Sequence, residues 1–303
     1  MRRAFFLFAI SLAACTEAPP PKPEATSLLG EPLFARQDTT GEIARADSGL
    51  AAAPDDVERI IAAARVRRNW WQYRDEIALY TRAIALAPSD WRPRRFRGHR
   101  YISVREFDNA VRDMERARAL APLNWDVSYH LGLAYFVSGR FADADDEYLR
   151  CLRLAVDAAT AAVDSEDFRS CSRNGTDPGS RVAMTEWAAR ALLRAGRQTE
   201  AEVLAAAIPD TLEVGENVSY HHDLLYAKGH KTAEELLNLG PDAPYRLETV
   251  GYGVATRLLV AGDTARATEV LRRIVADPWW PGFGRIAAEA DLGRFAGRVP
   301  PSP

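Results

Sequence analysis

The chain has 303 residues, 47% of them hydrophobic, and a formal net charge of −3. That is ample for a folded core and too polar for a multi-span membrane protein. The near-balanced charge supplies no global field to draw nucleic acid. Only three of the 39 basic residues are lysine (Lys22, Lys228, Lys231). This reads mainly as base composition, yet it leaves many planar guanidiniums suited to gripping carboxylates.

In chain order, Arg2 and Arg3 form a basic start, Ala4 to Leu12 a short apolar run, and Leu12-Ala13-Ala14-Cys15 follows. The run is too short to span a bilayer and reads as a secretion signal over residues 1–14. Its four closing residues resemble the lipobox of bacterial lipoproteins. The resemblance implies lipidation of Cys15 and a membrane anchor, and Thr16 in place of aspartate implies the outer membrane, with the folded part facing the periplasm. The competing reading is an ordinary signal peptide with a cysteine at its cleavage site. Residues 15–35 read as a flexible tether, with Ala18 to Glu24 extended because proline lacks the helix donor. Within it, Ser27 to Phe34 is too apolar for a free linker and suits docking on the folded part. A helix is expected from about Thr39 to Ala53, with Ile43 and Leu50 on one face.

From Val57 a period of 34 residues governs the chain. Gly98 and Gly132, Tyr101 and Tyr135, Ala110 and Ala144, Pro88 and Pro122, and Trp91 and Trp125 are each one period apart. Four columns span three units: Tyr73, Phe107, Phe141; Tyr80, Met114, Tyr148; Ala83, Ala117, Cys151; and Leu86, Leu120, Leu154. Small residues let antiparallel helices approach, aromatics fill the gaps between units, and proline stops the second helix. The period and columns resemble the tetratricopeptide family. The resemblance implies an all-α, right-handed superhelix of helix pairs and a protein-binding scaffold. Its units run Val57–Asp90, Trp91–Asn124 and Trp125–Ala158, so residues 36–158 hold an N-terminal helix and three repeats. Glu76 departs from the Ala110/Ala144 column and calls for a partner such as Arg82 or Arg100.

Beyond the third unit the period breaks, with the surplus in a turn-rich insertion over 159–181. Gly196, Gly229 and Gly262 then recur every 33 residues. Residues 182–297 therefore read as degenerate repeats continuing the superhelix, with second helices ending near Pro209 and Pro241. A last helix from Gly284 to Leu292 is expected to cap the open end, before a tail at 298–303. The strings Arg97 to Asp108, Tyr129 to Tyr135, Ser219-Tyr220-His221 and Phe283 to Ala290 are similar to a group of bacterial tetratricopeptide proteins without an assigned activity. That likeness covers most of residues 27–293 and is weakest at 160–180.

Helical spacing puts Ile61, Arg65 and Arg68, then Arg92, Arg95, His99 and Ile102, then Asp126, Tyr129, Leu133 and Phe136 on the concave face. The expected site is a groove with a basic rim and aromatic floor, binding a partner protein's peptide with acidic and apolar residues. The alternative is that these arginines are ordinary solvated surface. The carboxylate clamp of some chaperone-binding family members is absent, since its positions hold Ile61, Arg65, Phe96, Asp126 and His130. Cys151 and Cys171 are either a buried thiol and a loop thiol or a disulfide of the oxidising periplasm. No metal or cofactor motif is present: His221 and His222 diverge by about 100° on a helix, and a His99–His130 approach reads better as interface packing than as a zinc pair. No nucleophile elbow or phosphate loop appears. The function read from sequence is a non-enzymatic, lipid-anchored scaffold. The alternatives are a structural subunit docking through its convex face or insertion, and, distantly, an enzyme using His99, His130 or His221.

Overall fold

The computed structural model describes residues 22–156, 169–238, 240 and 247–298. The signal segment, Cys15, residues 159–168 of the insertion, Pro241 and the tail from 299 lie outside the described residues. A short antiparallel strand pair, Ala25–Thr26 with Pro32–Leu33, precedes the helices α1 (Glu42–Ala51), α2 (Val57–Asn69), α3 (Tyr73–Leu86), α4 (Trp91–Ser103), α5 (Phe107–Leu120), α6 (Trp125–Val137) and α7 (Phe141–Leu154). After a one-turn α8 (Cys171–Asn174) come α9 (Pro178–Arg194), α10 (Gln198–Ala206), a 3-10 turn (Gly215–Asn217), α11 (Val218–Ala227) and α12 (Ala233–Leu237). The chain finishes with α13 (Leu247–Val260), α14 (Thr264–Val275) and α15 (Phe283–Phe295). No described helix is long and apolar enough to cross a membrane.

Local chemistry sets the repeat at both ends of each first helix. Asp56, Asp90 and Asn124, one period apart, cap α2, α4 and α6 by accepting from the backbone N–H of Arg59, Arg92 and Val127. At the other end a residue with positive φ turns the chain into the second helix: Trp71, Arg105 and Gly139, then Gly196, Gly229 and Gly262. The residue after each one donates its N–H five residues back, as from Arg140 to Tyr135 and from Asp263 to Leu258, both at 2.9 Å. Within the pairs, Ala110, Ala144, Ala83 and Ala117 are fully buried, and a Cβ on Gly132 would overlap the Tyr148 ring. The fold is an all-α solenoid of tetratricopeptide-like helix pairs.

Two expectations are corrected. The tether does not extend to residue 35: Glu24 carbonyl and carboxylate oxygens accept from Arg74, and Leu33 and Ala25 are buried beside Trp71, Trp280 and Tyr73. Trp280 Nε1 donates to the Phe34 carbonyl at 3.1 Å. The last helix does not cap an open end either. α15 packs on α14 and α13 and also on α4 and α6, which places it in the concave face of the first three repeats. A capping helix keeps a polar outer face, whereas α15 is buried on nearly every side, with Ile286, Ala287, Ala288 and Ala290 packed and Glu289 and Asp291 fully enclosed. Those carboxylates are neutralised from around the ring. Arg105 and Arg285 meet Glu289 at 2.6 and 3.1 Å, and Arg194 and Arg294 meet Asp291 at 2.8 and 3.0 Å. The second half of the chain thus curls back and closes on the first.

Candidate functional site

A concave cleft survives where α15 does not reach, between α2 and α4. Its volume is about 360 Å³, and Ile61, Trp91 and Phe96 supply its apolar walls. Helical spacing on α2 brings Arg65 and Arg68 to one rim, one turn apart and exposed. Among the described residues their guanidiniums make no hydrogen bond or ion pair. Arg92 stands at the opposite rim, held by Glu58 at 2.5 Å and by Asp90 at 2.7 Å, the same Asp90 that caps α4.

The floor is more tightly wired. Arg95 donates to Asp126 at 2.6 Å and lies 3.1 Å from a ring nitrogen of His130. His130 Nδ1 is 2.7 Å from the Asp126 carbonyl. Burial pushes the His130 pKa down to about 3, with the Arg95 charge adding to the effect, and burial also holds His99 well below its ordinary value. Both imidazoles are therefore neutral. His99 packs 4.5 Å from His130 and 5.0 Å from Phe283 at the start of α15. Glu76 has its expected local partner: Arg100 lies 3.7 Å away and the Tyr80 hydroxyl donates to it at 3.0 Å. Burial, the largest influence, still raises the Glu76 pKa. Arg82 pairs instead with Asp55.

Of the residues expected in the groove, Arg65, Arg68, Arg92, Arg95 and His99 line this cleft together. Tyr129 does not; it lines a neighbouring cavity, with its hydroxyl 3.3 Å from that of Tyr220. Leu133 and Phe136 are 0% and 1% exposed and cannot receive a ligand. They belong to the central core with Ile286 and Tyr252, because α15 occupies the face they present. Arg92 and Arg95 are committed to internal carboxylates, so Arg65 and Arg68 are the cleft cations that lack a partner among the described residues.

Helical spacing misses Arg169, which also lines the cleft. It comes from beyond the repeats on a loop pinned to the N-terminus of α6. The N–H of Trp125 donates to the Arg169 carbonyl at 2.8 Å, and that of Cys171 donates to the Leu123 carbonyl at 2.7 Å. Cys151 and Cys171 are disulfide-bonded, which ties the same loop to α7. Six guanidiniums (Arg65, Arg68, Arg92, Arg95, Arg100, Arg169) thus face four carboxylates (Glu58, Glu76, Asp90, Asp126). Among the described residues Arg65 and Arg68 are left without a counter-charge, which beside apolar walls suits an anionic ligand with apolar neighbours. Among the described residues no group of three or more His, Cys, Asp or Glu side chains is arranged to hold a metal.

No family model and no curated protein matches the chain. Seven solved chains match. One, described as the crystal structure of MamA protein, is 18% identical over 66% of this chain and 86% of its own, with a TM-score of 0.41.

Proposed function

We propose that the protein is a non-enzymatic scaffold of the bacterial envelope, exported and anchored through a lipidated Cys15, that holds an acidic segment of a partner protein in the Arg65/Arg68 cleft. The observation that carries this reading is a pair of exposed, uncompensated guanidiniums on one helix face above Ile61 and Phe96. Exposed arginines with carboxylate partners would be ordinary solvated surface; these two have none among the described residues. Export rests on the residue pattern from Arg2 to Cys15, and a Cys151–Cys171 bond suits an oxidising compartment.

Crosslinking in living cells, followed by mass spectrometry, tests the reading with wild type beside Arg65→Ala/Arg68→Ala. Both side chains are exposed, so the variant keeps its fold. Arg95→Ala would not serve, because it strands Asp126 on the cleft floor. One partner lost only in the variant supports the reading. The same partners in both samples would favour docking through the convex face, a second reading prompted by α15 filling most of the concave one.

A further inference from the structure

The arginine cleft does not stand alone. Arg169 lines it and also lines a second cavity of about 430 Å³ on the far side of the Arg95–Asp126–His130 bridge. Asp126 faces that second cavity, but its oxygens are already taken by Arg95 at 2.6 Å and Arg169 at 3.4 Å. The remaining lining differs from that of the first cleft in being mostly uncharged. Tyr129 and Tyr220 form an aromatic wall, Asn174 and Asn217 contribute amides, and Glu216 contributes an exposed carboxylate on the 3-10 turn. Among the described residues Glu216 makes no hydrogen bond or ion pair. The Asn174 amide donates to Ser180 Oγ at 3.4 Å, which leaves its Oδ1 without a partner.

Among the described residues one cavity therefore carries two guanidiniums without a counter-charge, Arg65 and Arg68, the adjoining one a carboxylate without a counter-charge, Glu216, and Arg169 lines both. A ligand spanning the two gains at each end only if its own charge changes sign along its length. A uniformly acidic segment would meet Glu216 as a like charge, and a uniformly basic one would meet Arg65 and Arg68.

Building on the proposed use of the first cleft, we propose that the bound segment is charge-polarised. Its acidic residues sit against Arg65 and Arg68, and a lysine or arginine beyond Arg169 reaches Glu216 beside the Tyr220 ring. The disulfide-pinned loop fixes the wall shared by the two cavities, so the ligand's spacing is set by the fold.

The test is fluorescence anisotropy on the intact lipidated protein in detergent. Three kinds of labelled peptide are compared: one with two adjacent glutamates, one with a lysine roughly three to six residues before or after them, and the same lengths with norleucine in place of lysine. In at least one order the lysine peptide is expected to bind about three- to tenfold tighter than its norleucine counterpart. Glu216→Gln, a change on an exposed turn, is expected to remove that gain while leaving the norleucine peptide unaffected. Arg65→Ala/Arg68→Ala weakens every peptide. No gain from lysine in either order, or a gain that survives Glu216→Gln, overturns the polarised ligand and leaves the arginine cleft standing. Failure of all the glutamate peptides to bind, or indifference to Arg65→Ala/Arg68→Ala, overturns the cleft reading and this inference with it.

Discussion

Two glycines one period apart separate backbone propensity from packing at the scale of single residues. A Cβ on Gly98 would come within 2.9 Å and 3.0 Å of Met114 Cε and Cγ, in a flexible side chain, and 3.3 Å of the Ala110 carbonyl, whereas one on Gly132 would enter the Tyr148 ring. Alanine is better than glycine in a helix by about 1 kcal/mol, and overpacking a rigid neighbour costs roughly 1–3 kcal/mol. Gly98→Ala is therefore expected to lie within about 1 kcal/mol of wild type, and Gly132→Ala to lose stability by up to about 2 kcal/mol, in urea unfolding. Equal effects would mean that the Tyr148 ring can move aside. Arg105 poses a related contrast. Its φ is 65°, a region that costs a non-glycine residue about 1–2 kcal/mol, yet its guanidinium forms a buried pair with Glu289, the two side chains 2% and 0% exposed. Arg105→Ala and Arg105→Gly both strand part of that carboxylate and are expected to destabilise by about 3–5 kcal/mol. The glycine variant should recover about 1 kcal/mol of the backbone cost. If Gly and Ala are equally destabilised, backbone strain at this turn is negligible.

Between elements, the docking of α15 on α4 and α6 runs through two histidines that the fold keeps neutral. His130 has a folded pKa of about 3 and His99 is also lowered, both mainly by burial, with Arg95, Arg100 and Arg68 adding positive charge nearby. Asp126 is the counter-charge facing His130, and although burial opposes it, the charge and hydrogen bond of Arg95 hold its carboxyl below the ordinary value. Unfolded imidazoles titrate near 6.5, so between about pH 6.5 and 3 the unfolded chain binds protons that the folded chain refuses. Stability is full above pH 6.5 and falls as pH drops through that window, by up to about 1.4 kcal/mol per pH unit for each histidine. His130→Gln is expected to flatten the slope of unfolding free energy against pH between 6.5 and 4. An unchanged slope would place the acid sensitivity elsewhere. These elements also show what a sequence can reveal. The 34-residue columns locate α2 to α7 because each column is a contact between adjacent helices, and local contacts leave a periodic mark. The turn position is legible in the sequence where glycine recurs, at Gly196, Gly229 and Gly262, and hidden where Trp71 and Arg105 occupy it. Those two side chains contact distant partners, Trp279, Trp280 and Glu289, and no spacing rule connects residues so far apart.

At the scale of the whole molecule, closure decides which surface remains for binding. The concave face of a tetratricopeptide-like solenoid is open by default, and Leu133 and Phe136 fall on it by spacing alone. Here a helix from the far end of the chain fills that face, held by the carboxylates Glu289 and Asp291 among arginines from both halves. Each carboxylate on α15 has one arginine partner within its own helix, Arg285 or Arg294, but the partners that tie α15 to the rest of the chain, Arg194 and Arg105, lie 97 and 184 positions away, beyond any local pattern. What survives of the expected groove is the part contributed by the first two repeats, with Arg65 and Arg68 unpaired among the described residues. The measurement that tests this closure most directly is hydrogen–deuterium exchange on the intact protein, comparing amides of α15 with those of α6. The account predicts that residues 286–293 exchange as slowly as residues 130–136, since both belong to one core. Exchange of α15 within the time typical of a frayed terminal helix, with α6 still protected, would contradict it and return the full concave face to the list of open surfaces.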